Sequence, residues 1–216
     1  MNLMGVAMPR LLEVYCGAGG SAVGFARAGW KVDGVDNVAQ RNFPYKFFKA
    51  DAVEFIKEHG HRYHAITGGP VCKRYSKTWR INNRDHPAQI PATREAMRAT
   101  GLPYVIENVE DALPELINPM MLCGQDFGLR TYRHRYFESN VPMTRPCRHA
   151  PHVRPTVKMG RTIGPDDYYH AVGHFEGVEL IRLDMGVEWM NRDEIAQCIP
   201  PAYTEHVGTL LRASLS

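Results

Sequence analysis

The sequence predicts an α/β fold with an open, mostly parallel sheet, and three features predict it. The apolar run Arg10 to Tyr15 meets Cys16-Gly17-Ala18-Gly19-Gly20, after which Ser21 to Ala28 carries apolar residues at helical spacing. A second apolar run, Trp30 to Val35, ends in Asp36, sixteen residues after Gly20. A third, His64-Ala65-Ile66-Thr67, is turned sharply by Gly68-Gly69-Pro70 just before a thiol, Cys72. The first two make half of a dinucleotide-type unit, in which glycine backbone approaches a ligand and an acid closing the second strand accepts from ribose hydroxyls.

The remaining elements come in chain order. Phe43 to Phe48 leads to Asp51, which caps a helix starting at Ala52; the same carboxylate is also placed to reach an adenine amino group. Pro91 to Thr100 reads as a helix stopped by Gly101. Tyr104 to Val109 is a buried strand with Glu107 and Asn108 at its C-terminal end, Glu107 being either a site acid or a cap for the next segment of chain. Ligands bind at that edge of open α/β sheets, so Asp36, Cys72 and Glu107 are expected on one rim. Met121 to Gly124 and Arg133 to Glu138 read as strands. In the second, alternation puts Arg133 and Arg135 on one face, aimed together at one acceptor or simply at solvent. Asn140 to Tyr169, rich in proline, glycine and arginine, reads as loop; Asn191 to Cys198 and Ala202 to Leu211 read as helices.

With 216 residues the chain forms one main domain with a small appendage. We divide it into a catalytic part, 1–139 and 189–216, and a short recognition region, 140–188. The net charge is only +3, but Arg130 to Arg161 contains eight cations against the single acid Glu138, a face suited to a polyanion. Five scattered cysteines fit a reducing compartment, and no run reaches membrane-spanning length, so a cytoplasmic, monomeric protein is expected. Cys147, His149 and His152 supply only three metal ligands at a spacing unlike a known finger, with His170 or His174 as remaining candidates, so no metal is assigned.

Chemistry concentrates at Cys72. Lys73, Arg74, Lys77, Arg80 and Arg84 come after it, and positive charge favours the thiolate. Interleaved with Tyr75 and Trp79, these cations also suit phosphates and bases. The plainer alternative is a buried cysteine inside a solvated basic face. The glycine turn is neither GxGxxG nor a P-loop, which points to a nucleoside without a polyphosphate; S-adenosylmethionine matches that description.

These residues together resemble the DNA cytosine carbon-5 methyltransferases, in particular the compact ones encoded by bacteriophages, from Leu11 to about Gly208. Glu13 to Gly20 resembles the cofactor motif DLFCGAGG, Gly69-Pro70-Val71-Cys72 the nucleophile motif GPPC, and Glu107-Asn108-Val109 the motif ENV. Arg133-His134-Arg135 resembles the end of QxRxR, and Ile199 to Tyr203 the last block. The resemblance implies a Rossmann-like class I S-adenosylmethionine-dependent methyltransferase acting on double-stranded DNA. Cys72 would be the nucleophile, Glu107 the group at ring nitrogen 3, and Arg135, supported by Arg133, the group at the carbonyl oxygen. Tyr15, Cys16, Gly17, Gly19, Gly20, Asp36, Asn37, Asp51, Ala52 and Pro70 would hold the cofactor. Lys73, Arg74, Ser76, Lys77, Arg80, Arg84, Arg148 and Arg154 would contact nucleic acid. Val71, Lys73 and Thr131 depart from the family's proline and two glutamines. The alternatives are a transfer RNA cytosine methyltransferase and a cofactor- and DNA-binding module without turnover.

Overall fold

The computed structural model describes residues 7–70, 89–157, 161–164 and 166–215. Seven strands form one sheet: β1 (Arg10–Val14), β2 (Lys31–Asp36), β3 (Lys46–Lys49), β4 (Ala65–Gly68), β5 (Tyr104–Asn108), β6 (Met120–Leu122) and β7 (Arg135–Ser139). Their order is β3-β2-β1-β4-β5-β7-β6, with β1 to β5 parallel and β7 antiparallel to both β5 and β6. The strand order reverses beside β1, which sets the C-terminal ends of β1, β2, β4 and β5 along one edge.

Alternation along the strands sorts side chains into two cores. Leu11, Ala65 and Val105 pack under α1 (Gly20–Arg27) and α6 (Pro201–Ala213), with Trp30, Phe25, Tyr203 and Val207. Leu12, Val14, Ile66 and Ile106 face the other way, onto α2 (Ala52–His59) and α3 (Gln89–Ala99) through Phe55, Ile56, Ile90 and Met97. The sheet is thus covered on both faces, which explains why its parallel strands read as unbroken apolar runs.

Close packing of α1 on α6 rests on small residues. A Cβ on Gly24 would collide with Thr204 and the Pro201 carbonyl, and one on Gly208 would come within 2.9 Å of Phe25 and Ala28. Trp30 Nε1 donates to Gly208 O at 2.9 Å, and Thr204 Oγ1 to Ser21 O at 2.9 Å. Across the other core, Arg94 makes a buried two-toothed pair with Glu138 (2.6 and 2.7 Å), fastening α3 to β7.

Residues 140–188 divide into a loop-like part and a helical part. Residues 140–157 contain no helix, as expected, but α4 (Val178–Met185) lies further on, capped at both ends by left-handed glycines, Gly177 and Gly186. Ile181 and Met185 of α4 join Tyr169, Phe175, Met190 and Ile195 of α5 (Arg192–Gln197) in a third core that reaches Ala18 in the glycine turn. Trp189 Nε1 donates to Ala18 O at 2.9 Å, so the segment between α4 and α5 packs directly on the head of β1. Among the described residues no helix is long and apolar enough to cross a membrane.

Candidate active site

The turn after β1 is held by its own strand neighbours. Tyr15, Gly17 and Gly19 all have positive φ (58°, 49° and 85°), and Cys16 N reaches across to Val35 O at 3.2 Å. Asp36, closing β2, accepts from Gly17 N at 3.2 Å and Val38 N at 2.9 Å, one oxygen each. Each oxygen keeps a second lone pair, so the carboxylate that fixes the turn can still accept from hydroxyls.

The three glycines of the turn are there for different reasons. At Gly17 a Cβ would meet nothing within 4 Å, so the space beside its backbone is open. At Gly19 it would come within 2.7 Å of Pro44 and 2.9 Å of Phe43, and at Gly20 it would strike Cys198 Sγ and crowd Ile199 O at 2.8 Å. Only Gly17 therefore offers bare backbone to a ligand; Gly19 and Gly20 are required by packing. Tyr15 is half-buried with its hydroxyl 2.8 Å from Thr93 Oγ1. Asn37 and Asp51 are exposed, Ala52 is buried, and Asp51 caps α2 through Glu54 N at 3.0 Å.

On the neighbouring strands, Glu107 lies buried at the end of β5, where Arg135 Nε approaches its Oε1 at 3.0 Å. The N–H is not aligned on that oxygen, which has no hydrogen-bond partner: the two groups attract as charges without closing a bond. Burial raises the Glu107 carboxyl above its ordinary range, against the pull of Arg135 and then Arg133. The other carboxylate oxygen faces Gly69, where a Cβ would come within 3.0 Å of it. Asn108 Nδ2 donates to Pro70 O at 2.9 Å, so β5 grips the turn leading toward Cys72.

Arg133 departs from the strand alternation that the sequence predicts. β7 begins only at Arg135, and Arg133 sits ahead of it with φ 29°, outside the period-two pattern. Its guanidinium is turned into the protein, donating to Cys198 O (2.9 and 2.7 Å), Ala171 O (2.8 Å), Ala196 O (2.8 Å) and Ile195 O (3.2 Å). Those carbonyls include the open C-terminal end of α5, where a cation is favoured. Burial, then the nearby Arg135, lowers Arg133 to about 10. Arg135 alone of the pair meets Glu107.

Glu13, at the start of the cofactor-like motif, is a buried acid to which the sequence assigned no role. It shares a face of β1 with Leu11, is 3% exposed, and its Oε2 has no hydrogen-bond partner. Burial pushes it up to about 8, with Ser21 pulling the other way. Burial raises the Cys198 thiol most, with Arg133 and Arg135 pulling it down and Glu13 and Glu107 pushing it up.

The eight cations of 130–161 do not form one free face. Arg130 pairs with Asp184 and Arg145 with Asp126, while Arg133 and Arg135 are used as above. Arg148 and Arg154 are exposed, Arg154 also donating to Asp166 O at 3.2 Å. Thr131, in place of the family's glutamine, is 1% exposed, and its carbonyl occupies the space a side chain on Gly124 would need. Cys72, Lys73, Arg74, Ser76, Lys77, Arg80 and Arg84, with Val71, lie outside the described residues. Burial raises the thiols of Cys16, Cys123 and Cys198, so none of these three is an activated nucleophile.

No protein-family model and no curated protein matches the chain. Solved structures do. A protein described as a DNA modification methyltransferase, encoded within an E. coli prophage, matches with a TM-score of 0.68 at 14% identity, over 96% of this chain and 99% of that one. The S. pombe Dnmt2 methyltransferase matches at 0.60 and 12% identity, covering 96% and 99% of the two chains. The Entamoeba histolytica methyltransferase EhMeth matches at 0.60 and 12%, covering 98% and 100%. The chain has the Rossmann-like α/β fold of these methyltransferases over nearly its full length.

Proposed function

We propose that this protein transfers a methyl group from S-adenosylmethionine to carbon 5 of cytosine in double-stranded DNA. The observation that carries the reading is the buried Glu107, its carboxyl raised by burial, beside Arg135 on the rim, above the Gly69-Pro70 turn that leads into Cys72. A carboxylic acid and a guanidinium side by side match the ring nitrogen 3 and adjacent carbonyl oxygen of one cytosine.

The turn fits a nucleoside donor: Gly17 leaves its backbone approachable, Asp36 has lone pairs to spare, and Tyr15 flanks it. Bound there, S-adenosylmethionine supplies an electron-poor methyl carbon on a sulfonium. The Cys72 thiolate adds to carbon 6 and makes carbon 5 nucleophilic. Glu107 donates its proton, or a hydrogen bond, to nitrogen 3 as negative charge builds in the ring, and Arg135 holds the carbonyl oxygen. Arg133 acts through the protein, tying α5 to the approach of β7 so that Arg135 keeps its place. Once carbon 5 is methylated and loses its proton, the carbon 6–sulfur bond breaks and Cys72 is freed. The atom attacked is hidden in a duplex, so the base must leave the stack, at a cost of about a few kcal/mol. The exposed Arg148 and Arg154, with the basic run 73–84, would hold the backbone.

Incubating the protein with cofactor and a duplex containing 5-fluorocytosine tests this reading. A covalent complex should form, because fluorine blocks the final elimination, and Cys72→Ala should abolish both complex and transfer while DNA binding persists. DNA binding without any covalent complex would mark a binding module, and methyl transfer to transfer RNA alone would move the substrate.

A further inference from the structure

A second cluster of chemically capable side chains lies at the other end of the rim, and the catalytic reading makes no use of it. Cys123 comes just after β6, His134 precedes β7, and His149 and His152 come from the recognition region. One ligand atom from each falls within a set whose members are all within 4.8 Å of one another. Cys123 Sγ is 3.5 Å from His152 Nε2, and His134 Nε2 is 3.3 Å from the same nitrogen. Zinc bound at ~2.3 Å by sulfur and ~2.0–2.1 Å by nitrogen, at tetrahedral angles, sets S···N edges of ~3.6 Å and N···N edges of ~3.3 Å. Both measured edges fit.

We infer that Cys123, His134, His149 and His152 bind one zinc ion, which staples the recognition region to the β6–β7 end of the sheet. This assignment stands independently of the methyl-transfer reading. Thiolate with imidazole is a donor set for zinc rather than for magnesium or calcium, and four protein ligands close the shell, which makes the ion structural. Binding displaces the Cys123 thiol proton to solvent and leaves each imidazole neutral. The surroundings are built for it. Cys123 is fully buried, and its N–H donates to Asp126 Oδ2 at 3.1 Å, a carboxylate that Arg145 also holds at 2.6 Å. The His152 ring is stacked on Tyr132, with centroids 3.6 Å apart. His149 Nδ1 is buried without a hydrogen-bond partner, 3.9 Å from Asp126 Oδ1.

Of the sequence triplet Cys147, His149 and His152, only the two histidines belong to the cluster. Cys147 is exposed, with its sulfur 3.7 Å from Asp126 Oδ1, and it is not part of the set. Cys123 and His134 complete it from 26 and 15 residues before His149, a separation no finger spacing anticipates.

Untagged full-length protein, purified without chelator, should carry about one zinc per chain by elemental mass spectrometry. Exchange with cobalt(II) should give the visible bands of a tetrahedral site and a sulfur-to-metal charge-transfer band. Cys123→Ser should lose that band. His152→Ala, at an exposed position that leaves folding intact by circular dichroism, should lower metal content about tenfold or more. Cys147→Ser should change neither. Wild-type protein with less than about 0.1 zinc per chain and no cobalt spectrum on titration would overturn the site. So would metal lost from Cys147→Ser but kept in Cys123→Ser.

Discussion

The rim is held from two sides by opposite means. At the head of β1, the backbone of Cys16 and Gly17 is fixed by contacts close in sequence: Asp36 reaches Gly17, nineteen residues away, and Cys16 reaches Val35. At the approach to β7, Arg133 is fixed by carbonyls 38 to 65 residues further along. The first arrangement forms as soon as β1 and β2 pair. The second exists only when α5 and the recognition region have docked. One half of the site is thus intrinsic to a supersecondary unit, and the other is assembled by the whole chain.

The sharpest way to break this contrast is Arg133→Ala. It strands several buried carbonyls at once, each costing about 1–3 kcal/mol when unsatisfied, so a loss of roughly 3–5 kcal/mol in urea unfolding is expected. Arg133→Lys should recover part of it. If Arg133 instead touched substrate, activity would collapse with stability intact. In the glycine turn the expected effects are smaller and split by position, because Gly20 packs against the far end of the chain while Gly17 is held within the β1–β2 unit. Gly20→Ala overpacks against Cys198 and Ile199 and should cost about 1–3 kcal/mol. Gly17→Ala meets open space and pays only for its positive φ, about 1 kcal/mol, while weakening binding of S-adenosylmethionine in calorimetry.

A last variant sharpens the comparison by pH. Glu13 keeps its proton in the fold up to about 8 but loses it near pH 4.5 when unfolded. Between those values the native state binds the extra proton, so stability falls as pH rises. Glu13→Gln should flatten that decline, with a Tm above wild type at pH 8 and little difference at pH 4.5. An unchanged slope in scanning calorimetry would mean that Glu13 is solvated or paired.

The legible part of the molecule divides along the same line. Apolar runs marked β1, β2, β4 and β5, helical spacing marked α1, and Asp51 marked where α2 begins, because all of these are decided by neighbours in sequence. Glu107 and Arg135 came from motif residues at a strand end and a strand start. What stayed hidden depends on partners remote in the chain. Arg133 looks like a strand residue until its carbonyls are known. α4 lacks a strong stripe and is defined by the glycines at its ends and by the core it completes. Arg130 and Arg145 of the basic run turn to Asp184 and Asp126, which a charge count cannot register.

The seal between α1 and α6 sets a timetable for synthesis. Trp30 donates to Gly208, and Ser21 accepts from Thr204, so the first strand–helix unit emerges from the ribosome well before its cover. At about 5–20 residues per second, the 178 residues from Trp30 to Gly208 take roughly 10–35 s to make, during which the α1 face is open to chaperones or to neighbouring nascent chains.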